Sequence, residues 1–163
     1  MSQIKIGILK RAIKIAEKSD YYPFKISAII FKGNRILAEG KNYVGNSSRI
    51  NKKYRFIECS IHAEADALSK LSLDDTKGAS IIILRINAGS GKFSSAKPCE
   101  FCQKYIYEKS IKKVYASDEN GELIEYRVIN PTKKMTLKNE NGENNYNDIF
   151  IEKVKKVGTF VKG

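Results

Sequence analysis

Three side chains that suit one metal ion constrain the fold of this chain more than any other feature. His62 is the only histidine in the sequence, and Cys99 and Cys102 form a Cys-x-x-Cys pair directly after Pro98. Imidazole and thiolate donors are typical zinc ligands, and a site with three protein ligands leaves a fourth position for water or substrate. If the three side chains bind one ion, two segments far apart in the sequence must meet in the fold.

Both halves of this motif are predicted at helix N-termini. Residues 60–71 place apolar side chains on one helical stripe, with Ser60 as the predicted N-cap. Pro98 is predicted at the first position of another helix. Cys99 and Cys102 then lie on one face of its first turn, where the helix dipole favours the thiolates that bind metal.

A carboxylate beside the predicted ligands indicates acid–base chemistry. Glu64 stands two residues beyond His62 and can reach a metal-bound water without being a ligand itself. Zinc lowers the pKa of its bound water, and a nearby carboxylate can take the proton and pass it to a leaving amine. The implied reaction is hydrolytic deamination of an aromatic amidine-type carbon, as in cytosine.

The remaining segments alternate between helical and strand-like periodicity. The apolar run at residues 79–86 predicts a strand buried on both faces, in the centre of a sheet. Asn120-Gly121 predicts a tight antiparallel hairpin. The other predicted elements are a helix at residues 3–18 and strands at 25–31, 35–39, 112–116 and 123–128.

Composition limits the class of protein without deciding its partner. A chain of 163 residues is long enough for one domain with its own core. The net charge of +12 suits a polyanionic partner such as nucleic acid, but a general compositional bias towards lysine would also produce it. Three cysteines are too few for a disulfide framework and predict a reducing, cytoplasmic setting. No apolar run approaches the roughly 20 residues that cross a membrane.

The sequence His62-Ala63-Glu64, followed by Pro-Cys-Glu-Phe-Cys from Pro98, resembles the signature of the zinc-dependent cytidine and deoxycytidylate deaminase superfamily. The order of predicted elements over residues 3–128 is also similar. This resemblance implies a three-layer α/β/α fold of the cytidine deaminase type, with a mixed five-stranded sheet and helices on both faces. It further implies that Zn2+ is held by His62, Cys99 and Cys102, and that Glu64 shuttles protons.

The same resemblance suggests residues that bind the substrate. Asn42 ends a Gly-x-Asn stretch whose Asn touches the substrate sugar in the family. The full set of predicted substrate-binding residues is Phe24, Asn42, Ala63 and Pro98. The predicted activity converts cytosine to uracil on a free (deoxy)cytidine nucleoside or nucleotide such as dCMP. Residues 1–130 are predicted to form the catalytic domain, and residues 131–163 a polar, basic C-terminal extension whose order stays open.

Three departures from familiar branches keep the substrate open. Val44 stands where free cytidine deaminases carry Glu, Asp66 where deoxycytidylate deaminases usually carry Asn, and Lys97 where tRNA adenosine deaminases usually carry Glu. The long basic segment at residues 40–60 and the basic helix at residues 3–18 favour an alternative substrate. This alternative is cytosine or adenine in single-stranded DNA or RNA, including tRNA.

Two further interpretations of the cysteine residues do not involve deamination. Cys59, as a fourth ligand, would close the site and give a non-catalytic, zinc-stabilised nucleic-acid-binding module. Cys99 and Cys102 could instead form a redox pair. Members of the family are often homo-oligomers, but nothing in this sequence fixes an interface.

Overall fold

A seven-stranded mixed sheet organises the computed structural model, which describes residues 4, 6–19, 24–44, 60–138, 140–142 and 144–159. The helices are α1 (Ile6–Glu17), α2 (Ala63–Leu68), α3 (Leu73–Thr76) and α4 (Glu100–Glu108). The strands are β1 (Phe24–Lys32), β2 (Arg35–Lys41), β3 (Tyr43–Val44), β4 (Ser60–Ile61), β5 (Ser80–Asn87), β6 (Phe93–Ser94), β7 (Lys113–Ser117), β8 (Glu122–Lys138) and β9 (Asn144–Thr159). The sheet order is β2-β1-β5-β7-β8-β9, with β6 added to β5, while β3 and β4 pair separately.

Strand β5 lies in the centre of the sheet, as its apolar run predicts. It pairs antiparallel with β1 and parallel with β7. Because side chains alternate along a strand, Ile81 and Ile83 pack on the face covered by α2 and α4. Ile82 and Leu84 pack on the opposite face with α1. These two cores confirm the three-layer α/β/α architecture.

The sheet has more strands than the five predicted. The additional strands are β6 and the long β9, which pairs with β8 from Glu122↔Thr159 to Lys138↔Asn144. In the sequence, the polar, Asn-rich residues 138–147 resemble a disordered loop, and the apolar residues that return at 148–161 are compatible with a strand, a helix or a basic tail, so this pairing is not predicted. Strand β8 runs through residue 130, the predicted domain boundary. The division into residues 1–130 and 131–163 therefore stays a prediction.

The predicted Asn120-Gly121 hairpin is confirmed, because β7 and β8 pair antiparallel around it. Gly121 has a φ of 73°, in the left-handed region that glycine adopts without strain. The Asp118 carboxylate accepts hydrogen bonds from the backbone N–H groups of Asn120 and Glu122, both at 2.9 Å. These bonds fix the turn that sets the register of β8.

Two predicted helix starts are each wrong by two residues. Ser60 does not cap α2, because it lies in β4 and pairs with Val44, which keeps it extended. The N-cap of α2 is His62, and the N-cap of α4 is Cys99, so Pro98 precedes the helix. No helix in the described part of the chain is long and apolar enough to span a bilayer.

A bidentate ion pair ties α1 to the edge strand β2. The Arg11 guanidinium donates to both carboxylate oxygens of Glu39, with Nη2 at 3.0 Å from Oε1. Hydrogen bonding from Arg11 lowers the pKa of the Glu39 carboxyl, although partial burial opposes this shift. In the folded protein the ionised form of Glu39 is therefore stabilised.

We expect a Glu39→Gln variant to be less stable than the wild type at pH 7 and equally stable at low pH. A lowered folded pKa stabilises the protein above the unfolded-state pKa of Glu, about 4.3, and this stabilisation is lost as pH falls through the folded value. Urea unfolding from pH 7 to pH 3 measures the difference. Glu119→Gln, in an exposed turn, is the control. If the difference in free energy of unfolding between Glu39→Gln and the wild type did not change with pH, the ionised Glu39 carboxylate would not be its cause.

Candidate metal centre and active site

The N-termini of α2 and α4 bring the three predicted ligands together. His62 and Cys99 are the N-caps of the two helices, and Cys102 lies in the first turn of α4. Both helices pack on the same face of the sheet. The ligand atoms of the three residues all lie within 4.8 Å of one another, and they form the only such group among the residues that the structure describes. Cys59 lies outside those residues.

The spacing of the donor atoms fits zinc. His62 Nδ1 lies 3.8 Å from Cys99 Sγ and 3.5 Å from Cys102 Sγ. A tetrahedral ion with Zn–S near 2.3 Å and Zn–N near 2.0 Å places its ligand atoms about 3.5 to 3.8 Å apart. The two N–S distances therefore suit one ion that is bound through His62 Nδ1.

The two thiols have opposite electrostatic environments. A hydrogen bond from the Cys102 thiol is the largest cause that lowers the pKa of Cys99, to about 4, and His62 adds to it. Burial raises the pKa of Cys102 well above its usual value. The site thus stabilises the thiolate of Cys99. A second thiolate, at Cys102, costs free energy because this side chain is buried. A divalent cation relieves this cost, because metal binding requires and stabilises both thiolates.

Glu64 lies beside this cluster but outside it. It follows Ala63 in the first turn of α2 and is only 6% exposed. Burial is the main cause that raises the pKa of its carboxyl, and the neighbouring His62 opposes this shift. The neighbouring Cys102 thiol is a smaller cause that lowers the pKa of this carboxyl. A buried carboxyl next to the ligands, and not one of them, is suited to hold and transfer a proton.

The position of α2 depends on a close approach to β2 at Gly40. A Cβ at residue 40 would lie 2.5 Å from the backbone nitrogen of Ala67 and against the carbonyl oxygen of Ala63. Next to this contact, the Asp66 carboxylate accepts a hydrogen bond from the Lys41 backbone N–H at 3.1 Å. Asp66, which stands where deoxycytidylate deaminases usually carry Asn, therefore lies at the contact between α2 and β2. Its carboxylate accepts a hydrogen bond from the backbone at this contact.

Asn42 holds the start of β1 in place. Its Oδ1 accepts from the Ile26 backbone N–H at 2.8 Å, and its Nδ2 donates to the Phe24 carbonyl oxygen at 2.9 Å. The Ser19 hydroxyl lies 2.6 Å from the same Oδ1. Asn42 is 4% exposed, and among the described residues only one of the two hydrogens on its Nδ2 has an acceptor. Contact of Asn42 and Phe24 with substrate stays a prediction.

The other two predicted substrate residues, Ala63 and Pro98, are buried at the starts of α2 and α4. The Pro98 carbonyl oxygen accepts a hydrogen bond from Gln103 Nε2 at 3.0 Å. Gln103 Oε1 in turn accepts from the Phe150 backbone N–H of β9 at 3.4 Å. Sequence reasoning missed Gln103, because its partner lies on a strand that the sequence did not predict.

Ser117 is a second residue that sequence reasoning missed. Its hydroxyl donates to the Ser94 carbonyl oxygen at 2.8 Å and accepts from the Arg85 backbone N–H at 3.1 Å. Its own carbonyl oxygen accepts from the Ala96 N–H at 2.9 Å. Ser117 thereby fastens the segment that leads into Pro98 to the ends of β5 and β7. No residue pattern in the sequence signals this role.

The fold and the donor set define an α/β/α protein with a three-ligand zinc site. Residues 3–118 match the family described as the cytidine and deoxycytidylate deaminase zinc-binding region. The chain belongs to this family, and the metal that its cluster binds is Zn2+. The sequence-based assignment to the superfamily is confirmed.

Solved structures that are similar to this chain include two crystal structures of a dCMP deaminase from the cyanophage S-TIM5. The apo form is 24% identical, covers 71% of this chain and 86% of that chain, and has a TM-score of 0.48. The complex with dCMP and dUMP is 23% identical, covers 69% of this chain and 82% of that chain, and has a TM-score of 0.42. A search of curated proteins finds no match.

Proposed function

We propose that this chain is a zinc-dependent hydrolase that converts cytosine to uracil on a free (deoxy)cytidine nucleoside or nucleotide such as dCMP. The observation that carries the proposal is the buried Glu64 carboxyl beside a three-ligand donor set. Three protein ligands leave one coordination position for a reactant, as catalytic zinc sites do. The need for two thiolates fits a reducing cytoplasmic setting.

The proposed reaction adds water at C4 of the cytosine ring and releases ammonia. Bound zinc supplies the nucleophile by lowering the pKa of a water molecule. Glu64 takes a proton from the attacking water and delivers it to the base, so that the C4–N bond breaks with a protonated leaving amine. Burial that raises the pKa of Glu64 supports this role, since the carboxyl must hold the proton between the two transfers.

The antiparallel pairing of β7 and β8 supports a small substrate. Free-nucleoside deaminases resemble this arrangement, whereas many polynucleotide-editing members place the last strands parallel. In this chain Lys113↔Arg127 to Ser117↔Leu123 pair antiparallel. A free nucleoside or nucleotide is therefore the favoured partner in this proposal.

Deamination of cytosine or adenine within single-stranded DNA or RNA is the second candidate. It is favoured by the net charge of +12 and by the exposed Lys10 and Lys14 on α1. On β9, by contrast, part of the positive charge is neutralised, since Lys156 pairs with Glu122. The non-catalytic zinc module depends on Cys59, which lies outside the described residues.

Comparing substrates at matched salt concentrations tests the proposal. Zinc-loaded protein is assayed for ammonia release from dCMP, cytidine, single-stranded DNA and tRNA. We expect turnover of dCMP or cytidine with little dependence on salt. Activity only on the polymers, falling steeply with salt, would support the second candidate, because backbone binding releases counterions. Zinc-loaded protein that is inactive on all of these substrates would contradict deamination.

A further inference from the structure

We propose that Arg85 binds a phosphate group of the substrate. This inference rests on the proposed deamination of a nucleotide and deepens it, because phosphate is the only anionic group of that substrate. Arg85 lies near the C-terminal end of β5. Since Arg85 follows Ile81 and Ile83 at alternate positions, it lies on the face of the sheet that carries the zinc-binding helices.

The Arg85 guanidinium is held in place by an aromatic ring. Its central carbon lies 3.8 Å from the centroid of the Phe24 ring. Stacking on a ring face leaves the in-plane N–H groups free to bind an acceptor. Phe24 is itself a predicted substrate-binding residue, so this contact places a fixed cation within the predicted substrate site.

The charge of Arg85 lacks an anionic partner within the described part of the chain. Its Nε is buried and makes no hydrogen bond to any residue that the structure describes. Arg11 and Arg127, by contrast, each pair with a glutamate. A buried donor on a charged group is costly to leave unsatisfied. A planar guanidinium offers parallel N–H groups that match two phosphate oxygens, so an anionic ligand would satisfy this donor.

Arg85 and Asn42, the predicted sugar contact, both adjoin Ile26 in the sheet. The end of β2 packs against α2 at Gly40, and Asn42, the predicted sugar contact, follows two residues later. Asn42 hydrogen bonds to the backbone of Ile26, which is the residue paired with Arg85 in the β1–β5 register. The zinc site, Asn42 and Arg85 are thus candidates for binding the base, the sugar and the phosphate.

Comparing substrates with and without phosphate tests Arg85. In an Arg85→Gln variant, we expect KM for dCMP to rise about 10- to 100-fold, because a charge-assisted hydrogen-bond pair is lost. Because deoxycytidine has no phosphate, KM for deoxycytidine should change far less than KM for dCMP. Arg85→Lys, which keeps the charge but not the planar fork, should give an intermediate KM. Arg127→Gln, which removes an exposed arginine outside the site, should behave as the wild type.

The same assays distinguish the source of the phosphate. A loss confined to dCMP identifies the 5′-phosphate of a free nucleotide, whereas a loss confined to a cytosine-containing oligodeoxynucleotide identifies a backbone phosphodiester. Equal losses on dCMP, the oligodeoxynucleotide and deoxycytidine would overturn the proposal and show that Arg85 only supports the packing of Phe24. An unchanged KM on all three would also overturn it.

Calorimetric titration separates this inference from the proposed function. If zinc-loaded wild type deaminates none of the substrates, the proposed function fails, but dCMP binding can still be measured. Weaker dCMP binding by Arg85→Gln, with unchanged deoxycytidine binding, would then support the phosphate contact alone. Equal affinity of wild type and variant for dCMP, or no binding to the wild type, would overturn it.

Discussion

Replacement of Glu64 by Gln is expected to lower kcat for deamination by about 10²- to 10⁴-fold, the usual contribution of a positioned general acid or base. Gln has nearly the same shape as Glu but cannot take a proton from water. Because Glu64 lies outside the ligand cluster, zinc content should not change. Removal of a buried ionisable group should leave the melting temperature the same or higher. Steady-state kinetics, metal analysis and thermal melting measure the three effects.

Asp66→Asn is the matched control for Glu64→Gln. It makes the same chemical change two residues further along α2, where the carboxylate binds the Lys41 backbone N–H at 3.1 Å and lies 3.6 Å from Lys70 Nζ. We expect kcat of this variant within a few-fold of the wild type. If Glu64→Gln kept its zinc and its full kcat, the proton-transfer role of Glu64 would be excluded.

Replacement of Gly40 by Ala is expected to destabilise the protein by about 2 kcal/mol or more and to weaken zinc binding. The added methyl would overlap the backbone of α2 at Ala63 and Ala67. Backbone cannot rotate away as a side chain can, so overpacking here costs at least the usual 1 to 3 kcal/mol. If α2 moves to relieve the overlap, His62 and Glu64 move with it. Urea unfolding and competition with a zinc chelator measure the two effects.

Gly7→Ala provides the control for Gly40→Ala. Gly7 lies in the first turn of α1, and a Cβ there would meet nothing within 4 Å. Since Ala favours helix over Gly by up to about 1 kcal/mol, this variant should be as stable as the wild type or more stable. Equal stability of the Gly40 and Gly7 variants would show that the contact between β2 and α2 tolerates a side chain.

The metal site was predictable because its chemistry is encoded in residue types and short spacings. One histidine and a Cys-x-x-Cys pair restrict the ligand set, and the structure brings these side chains within bonding distance of one ion. The central strand was predictable for a similar reason, since Ile81 to Leu84 form a run that only burial on both faces explains.

Contacts that depend on long-range packing were not predictable. Ser60 has the residue type of an N-cap, but pairing with β3 keeps it in a strand. Gln103 and Ser117 act through backbone groups of segments distant in sequence, which no local pattern reveals. The β8–β9 pairing was not predicted because residues 138–147 are polar and Asn-rich, and the apolar residues that return at 148–161 leave the type of element open.

The C-terminal hairpin also determines which strand forms the edge of the sheet. The family match ends at residue 118, just beyond β7, whose Val114, Tyr115 and Ala116 are almost fully buried. If the sheet ended there, an apolar strand with unpaired backbone groups would face solvent and would favour edge-to-edge association. Strand β9 instead presents exposed Lys153 and Lys155 at the border. The hairpin thus gives the deaminase-like sheet a charged edge that resists pairing with other chains.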